Sequence, residues 1–167
     1  MEINASGFKF RLAKQGDESN ISNLYKCIIG TEGCTWDEEY PSMSNIITDI
    51  KMKSLYCLTD VKGEIIAAAT AGALDELEDL TWVEEMIKPC ELARIGVSPL
   101  MQKKGAASKL LQSIIQDCKR RGYDGMRLLV SKTNYNALAL YRKFGFQESG
   151  EVYRYGHDFF AYYKILK

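Results

Sequence analysis

Ala107, Leu110, Leu111, Ile114, Ile115 and Cys118 recur at the i, i+3, i+4, i+7, i+8, i+11 spacing of one continuous helical stripe. A helix with a single apolar face has to bury it against another element, and the flanking segments supply candidates. Before it, Glu91-Leu-Ala-Arg-Ile-Gly-Val is strand-like and stops at Ser98-Pro99. After it, Met126 to Val130 is short and almost wholly apolar, which suggests a strand buried on both faces. Arg120 and Arg121 suit the dipole at the helix C-terminus, and Gly122 ends the helix.

The rest of the chain reads in the same way. Phe8-Lys-Phe-Arg-Leu-Ala alternates apolar and polar residues as a strand does. Asp17 is placed to cap a helix carrying Ile21, Leu24, Tyr25 and Ile28, which Gly30 and Gly33 break. A short helix is expected near residues 44–53. Leu55 to Thr59 and Glu64 to Ala71 then form strands around the hairpin signal Asp60-Val-Lys-Gly. Asn134 to Phe144 reads as a helix closed by Gly145, and Phe146 to Tyr153 with Phe159 to Leu166 as a final pair of strands. With no linker, repeat or low-complexity tract, the order strand, strand, helix, strand, helix in the second half predicts one α/β or α+β domain spanning residues 1–167.

Composition removes several chemistries. Lys and Arg number 22 and Asp and Glu 22, so no bulk attraction to nucleic acid or an anionic membrane is expected. The longest uncharged apolar stretch, Ile65 to Leu74, is about half of a membrane span. The N-terminus lacks a basic region followed by an apolar run, so no signal peptide is expected, and the chain reads as a cytoplasmic domain. The five cysteines (Cys27, Cys34, Cys57, Cys90, Cys118) are odd in number and never spaced CxxC, and are read as reduced thiols, mostly core residues. The one histidine, His157, lies in a Gly-His-Asp turn and has no partners for a metal site or a triad, so no metal is expected. Charge is nevertheless uneven: Asp75 to Glu91 holds seven acids and one base, Met101 to Arg121 six bases and one acid. Solvated faces explain most of this. The pattern also suits an enzyme that joins an anionic ligand to a cationic one.

Val97-Ser-Pro-Leu-Met-Gln-Lys-Lys-Gly-Ala-Ala-Ser ends a strand, turns through a basic loop and opens the amphipathic helix. Helix N-termini present unpaired N–H groups and partial positive charge to phosphates. Gly105, Ala106 and Ala107 let backbone approach a ligand, and Lys103 and Lys104 add charge. The loop is neither a Walker A sequence nor a three-glycine dinucleotide fingerprint. In the later helix Asn134, Ala137 and Tyr141 fall at i, i+3, i+7, a slot with a hydrogen-bonding group at each end; a capping Asn and a core-facing Tyr are the bland alternative.

Together the two segments resemble the GNAT (GCN5-related N-acetyltransferase) superfamily. Gln102-Lys-Lys-Gly105-Ala106-Ala107 is similar to its pyrophosphate loop, with Ala107 for the commoner Gly. Asn134-x-x-Ala137-x-x-x-Tyr141-x-Lys143-x-Gly145-Phe146 is similar to its second signature. The strong resemblance covers roughly Glu91 to Gly150; Trp36 and Tyr40-Pro41 look like the lid region of small bacterial members. It implies a mixed sheet of about six to seven strands, splayed at the cofactor cleft, with about four helices. It also implies transfer of an acetyl group from acetyl-CoA to a primary amine, by direct attack in a ternary complex.

On that resemblance the backbone from Gln102 to Ala107, with Ser108 and Asn134, holds the cofactor, and the strand Ile95-Gly96-Val97 pairs with its pantetheine arm. The Val97 N–H matches the oxyanion donor. Tyr141 matches the general acid for the departing thiolate, a sensible role for a phenol whose pKa of ~10 exceeds the ~8.5 of a thiol. An ammonium must also lose a proton, and Glu91 is the expected general base, with Glu84, Glu85 or a water chain as alternatives. Trp36, Tyr40, Glu84, Glu85 and the acidic loop Asp75 to Asp79 are acceptor candidates, and acids there favour a cationic amine. The expected acceptor is a small molecule. A protein N-terminal or lysine acetyltransferase, and a non-catalytic acyl-CoA-binding module, are the alternatives. The resemblance also allows a homodimer through exposed strand edges.

Overall fold

A computed structural model describes residues 2–3 and 7–167, the first two by backbone alone. The expected absence of a signal peptide rests largely on residues 1–6, of which 1 and 4–6 lie outside the described residues. The chain runs β1 (Glu2–Ile3), β2 (Lys9–Leu12), α1 (Glu18–Ile28), α2 (Met43–Lys51), β3 (Leu55–Thr59), β4 (Ile65–Gly72) and β5 (Pro89–Val97). It continues through α3 (Ala106–Arg120), β6 (Gly125–Ser131), α4 (Tyr135–Lys143), β7 (Gln147–Arg154) and β8 (His157–Ile165). Seven strands of four or more residues and the two-residue β1 form one sheet in the order β1-β2-β3-β4-β5-β6-β8-β7.

Every neighbouring pair is antiparallel except β5 and β6. That parallel pair, joined by the crossover through α3, is bonded only where Pro89, Cys90 and Glu91 face Gly125, Met126 and Arg127. Beyond Glu91 the two strands part, and the gap is the cleft described below. The helices cover both faces. Leu110, Leu111, Ile114, Ile115 and Cys118 of α3, with Leu138 and Tyr141 of α4, pack on one face against Leu58, Ala67, Leu92 and Leu128. Ile21, Leu24, Tyr25 and Ile28 of α1, with Ile46 of α2, pack on the other against Leu55, Cys57 and Ala68. No helix among the described residues is long and apolar enough to cross a membrane.

Local chemistry sets the ends of these elements. Ser42 caps α2 in a reciprocal box with Asn45. Asp17 stands at the start of α1 but makes no cap bond. Its carboxylate turns back instead, accepting from Arg11 Nη1 at 2.7 Å and from the Lys14 N–H at 2.8 Å. Burial alone would raise its pKa; the guanidinium and the Lys14 N–H outweigh that and hold it below the usual carboxylate value. A carboxyl with a lowered folded pKa contributes stability above its unfolded pKa and loses it as pH falls through the folded value. Asp17→Asn is therefore expected to lower neutral-pH stability by about 1–2 kcal/mol and to flatten the acid limb of a melting-temperature profile between pH 7 and 3. An acid limb identical to the wild type removes this ion pair from the pH dependence.

Two further details differ from the sequence reading. The turn before β8 is at Tyr155-Gly156, so His157 opens the strand. Cys57, Cys90 and Cys118 are buried core thiols, whereas Cys34 is half-buried and Cys27 exposed.

Candidate active site

Between β5 and α3 the chain makes a short 3-10 turn, Pro99–Met101, and then passes through two left-handed residues, Lys103 (φ 64°) and Gly105 (φ 82°). Gly105 is the N-cap of α3, and the first intrahelical bond there runs from the Lys109 N–H to its carbonyl at 3.0 Å. The N–H groups of Ala106, Ala107 and Ser108 therefore have no intrahelical acceptor and face out of the helix. A Cβ built on Gly105 would meet nothing within 4 Å, so the space in front of the loop is open. Lys143 of α4 reaches the same place, its Nζ 3.4 Å from Ser108 Oγ. Unpaired donors, a helix dipole and nearby lysines make a seat that fits a pyrophosphate.

The loop forms one end of a cavity of about 620 Å³ that fills the gap between β5 and β6. One wall is Ile95, Gly96 and Val97 of β5; the other is Leu129, Val130 and Ser131 of β6 with α4. The Ser98 N–H bonds the Ile66 carbonyl of β4 at 2.8 Å. Successive N–H groups of a strand alternate in direction, so the Val97 N–H points away from β4 into the gap. Asn134 and Tyr141 both line the cavity. Asn134 is the N-cap of α4, its Oδ1 accepting from the Ala137 N–H at 3.2 Å, which leaves its amide NH₂ for a ligand. Tyr141 is buried, its ring set against Phe146 and Tyr162. Burial pushes its hydroxyl well above the ordinary tyrosine pKa.

The segment after α1 bridges the cleft. Thr31, Glu32, Gly33, Cys34, Thr35 and Trp36 all line it. Gly33 sits against α4, where a Cβ would come within 2.6 Å of the Asn134 Cα. Trp36 lies on Gly96, whose own Cβ would meet Ile28 Cδ1 at 2.5 Å and Trp36 Cη2 at 3.1 Å. The indole is held from behind by Tyr25, edge to face at 5.1 Å. Close packing thus explains Gly96, and also Gly33, which sequence alone marks only as a helix break.

Most of the expected ligand-contacting residues line one cavity: Trp36, Ile95, Gly96, Val97, Gln102, Lys103, Gly105, Ala106, Ala107, Ser108, Asn134 and Tyr141. Five do not. Lys104 is not among the lining residues and is exposed. Glu84 and Glu85 are exposed on a loop pinned elsewhere, with the Val83 N–H on Ser149 Oγ at 3.0 Å and Trp82 stacked on Arg127. Tyr40 touches a lining residue through its hydroxyl, which accepts from Arg94 Nη1 at 3.0 Å. Glu91 is a correction of the expected base. It lies three residues into β5, buried, and its two carboxylate oxygens accept the N–H groups of Glu76 and Leu77 at 2.9 and 3.1 Å. Burial raises its pKa above the usual value even against those hydrogen bonds. Its carboxylate holds the acidic loop and does not face the cavity.

Sequence reasoning missed Arg94, Glu32, Cys34 and the position of Lys143. Arg94 could have been found: an arginine inside an otherwise apolar strand needs buried partners. Asp49 supplies them, accepting from Nε at 2.9 Å and from Nη2 at 3.1 Å.

The profile of the acetyltransferase (GNAT) family matches residues 22–146. The chain belongs to the GNAT family. Enzymes of this family use acetyl-CoA as acetyl donor, and the sheet, the four helices and the parted strands are the architecture expected of a member. This GNAT domain is 23% identical over 154 residues to the L-methionine sulfoximine/L-methionine sulfone acetyltransferase of Pseudomonas aeruginosa, covering 89% of this chain and 86% of that protein. It is 30% identical over 66 residues to N-acetyltransferase family 8 member 2 of Rattus norvegicus, a match spanning 40% of this chain but only 29% of the relative. Among solved structures, yncA of Salmonella typhimurium, a putative acetyltransferase determined with its cofactor acetyl-CoA, superposes with a TM-score of 0.77 over 97% of this chain and 95% of that one. At 18% identity that likeness is one of fold.

Proposed function

We propose that this GNAT domain transfers the acetyl group of acetyl-CoA to the primary amine of a small molecule, with both reactants bound together. The observation that carries the reading is the single cavity joining three features: the unpaired N–H groups opening α3, the free Val97 N–H and the buried Tyr141 hydroxyl. Bound acetyl-CoA supplies an activated thioester. Gln102 to Ser108, with Lys143, hold the pyrophosphate; Ile95 and Val97 hydrogen-bond the pantetheine arm along the unpaired edge of β5; Asn134 offers its amide to the same arm.

The Val97 N–H donates to the carbonyl oxygen as negative charge builds there. Tyr141 donates to the departing sulfur. Because burial keeps that phenol protonated and far above a thiol in pKa, it acts as a hydrogen-bond donor to the thiolate rather than giving up its proton outright. With Glu91 turned to the acidic loop, the amine proton leaves through water in the open cleft. The thiolate, held by the Tyr141 hydrogen bond, takes its proton from the same water, so a neutral amine loses one proton as sulfur gains one, and an ammonium first gives one more to solvent.

Two observations support a small acceptor. The segment from Thr31 to Trp36 lines the cleft beside Arg94, which the Tyr40 hydroxyl contacts, and so narrows the room for an extended peptide. The Pseudomonas relative, matched over most of both chains, is named for an amino-acid-like amine. Titration calorimetry with acetyl-CoA alone tests the cleft, and thiol release across an amine panel tests the reaction. Micromolar 1:1 binding followed by release with small amines is the expected result. Absence of binding would overturn the reading.

A further inference from the structure

Arg94 has a left-handed backbone, φ 52°, in the middle of β5. An L side chain is strained in that conformation, which strands ordinarily reserve for glycine at a bulge. A bulge is what it makes. Ala68 faces Gly96 and Thr70 faces Ala93, so Arg94 and Ile95 together oppose the single residue Ala69.

The extra residue changes which side chains face which way. Cys90 and Leu92 belong to the core beneath α3. Without a bulge Arg94 and Gly96 would follow them onto that face; instead Ile95 and Val97 pack there, and Gly96 turns to Ile28 and Trp36. Removing the bulge would slip the end of β5 by one residue, and the Val97 N–H would no longer point into the cleft.

The side chain of Arg94 is tied down on every edge. Asp49 takes Nε and Nη2, and is itself held by Thr70 Oγ1 at 2.7 Å. Nη1 reaches the Tyr40 hydroxyl, and Nη2 reaches Glu76 Oε2 at 3.2 Å. The guanidinium is 3% exposed, so these bonds form away from bulk water. They join the bulge to α2, to the Tyr40 segment and to the acidic loop.

We propose that Arg94 is a positioning residue for acetyl transfer, its buried ion network holding the bulge in a strained form that aims the Val97 N–H at the acetyl carbonyl oxygen. The proposal rests on the acetyltransferase reading above. It makes a particular forecast, because glycine adopts the left-handed conformation without strain and needs no network to stay there. Arg94→Ala, made together with Asp49→Asn so that no carboxylate is left buried and unpaired, is expected to lower kcat by about thirtyfold. The Kd for acetyl-CoA should rise by much less than kcat falls, since the loop before α3 is untouched and only the pantetheine bonds of Ile95 and Val97 shift with the bulge. Arg94→Gly in the same Asp49→Asn background is expected to regain about tenfold of the lost kcat at a similar melting temperature.

Equal kcat for the alanine and glycine variants overturns the proposal, as does a loss confined to the acceptor KM, which would make Arg94 a substrate-binding group. Tyr40→Phe and Glu76→Gln, which trim single arms of the network and leave the core intact, keep the test open should the double variants not fold. Each should lower kcat severalfold with a smaller change in the acetyl-CoA Kd, and unchanged kcat in both counts against the proposal. The Val97 amide resonance gives a readout without turnover. It is expected to differ between the acetyl-CoA and CoA complexes of the wild type and the glycine variant, but not of the alanine variant. A wild type that binds neither ligand fails the acetyltransferase reading; a wild type and an alanine variant with the same shift fail this proposal alone.

Discussion

Tyr141→Phe is expected to lower kcat about a hundredfold while leaving the acetyl-CoA Kd within about twofold of the wild type. The ring is packed against Phe146 and Tyr162, and phenylalanine keeps that packing. What is lost is one hydroxyl on a residue that lines the cavity. Beyond Asn136, Tyr141 is the one α4 residue lining the cavity with a side-chain donor, so the leaving group loses that assistance, and a hundredfold corresponds to about 2.7 kcal/mol of barrier. The raised pKa adds a second expectation. The hydroxyl stays protonated throughout the ordinary assay range, so wild-type kcat should show no falling limb from Tyr141 below about pH 10. Unchanged turnover in the Phe variant removes Tyr141 from the reaction.

The other large effect is expected at Gly105. Its φ of 82° suits glycine, and it caps the helix whose first N–H groups face the proposed pyrophosphate. Gly105→Glu adds backbone strain and sets a carboxylate among donors arranged for an anion. Acetyl-CoA binding should weaken by at least about a hundredfold, with the melting temperature down by only a few degrees, because the new side chain enters open space. Gly105→Ala separates the causes: it keeps the strain without the charge, and a loss as large as that of the Glu variant would assign the effect to backbone conformation. Undiminished affinity in the Glu variant would mean that the loop does not hold the ligand.

How far these features were legible depended on whether local spacing or distant contact decided them. The α3 stripe, the buried β6 run and the α4 signature are periodic and local, and their elements lie within a residue or two of expectation. The unpaired loop N–H groups followed from knowing where a helix begins. Glu91 was misjudged for the opposite reason. Its place near the start of a strand could be read, but not that residues 76–77 fold back to bond both its oxygens. Asp17 occupies a capping position and spends its carboxylate on Arg11, near the end of the strand before it, and on the Lys14 N–H. Arg94 depends on three segments that meet only in the folded chain. Two-residue β1 offers too short a pattern to be seen at all.

The contact of Gly33 with Asn134 has a consequence for traffic. A cleft spanned by a bridge has two mouths instead of one long lip. A slender arm can thread beneath the bridge from the side of the α3 loop, but a nucleotide cannot follow it through. The spent carrier has to back out along the path by which it came.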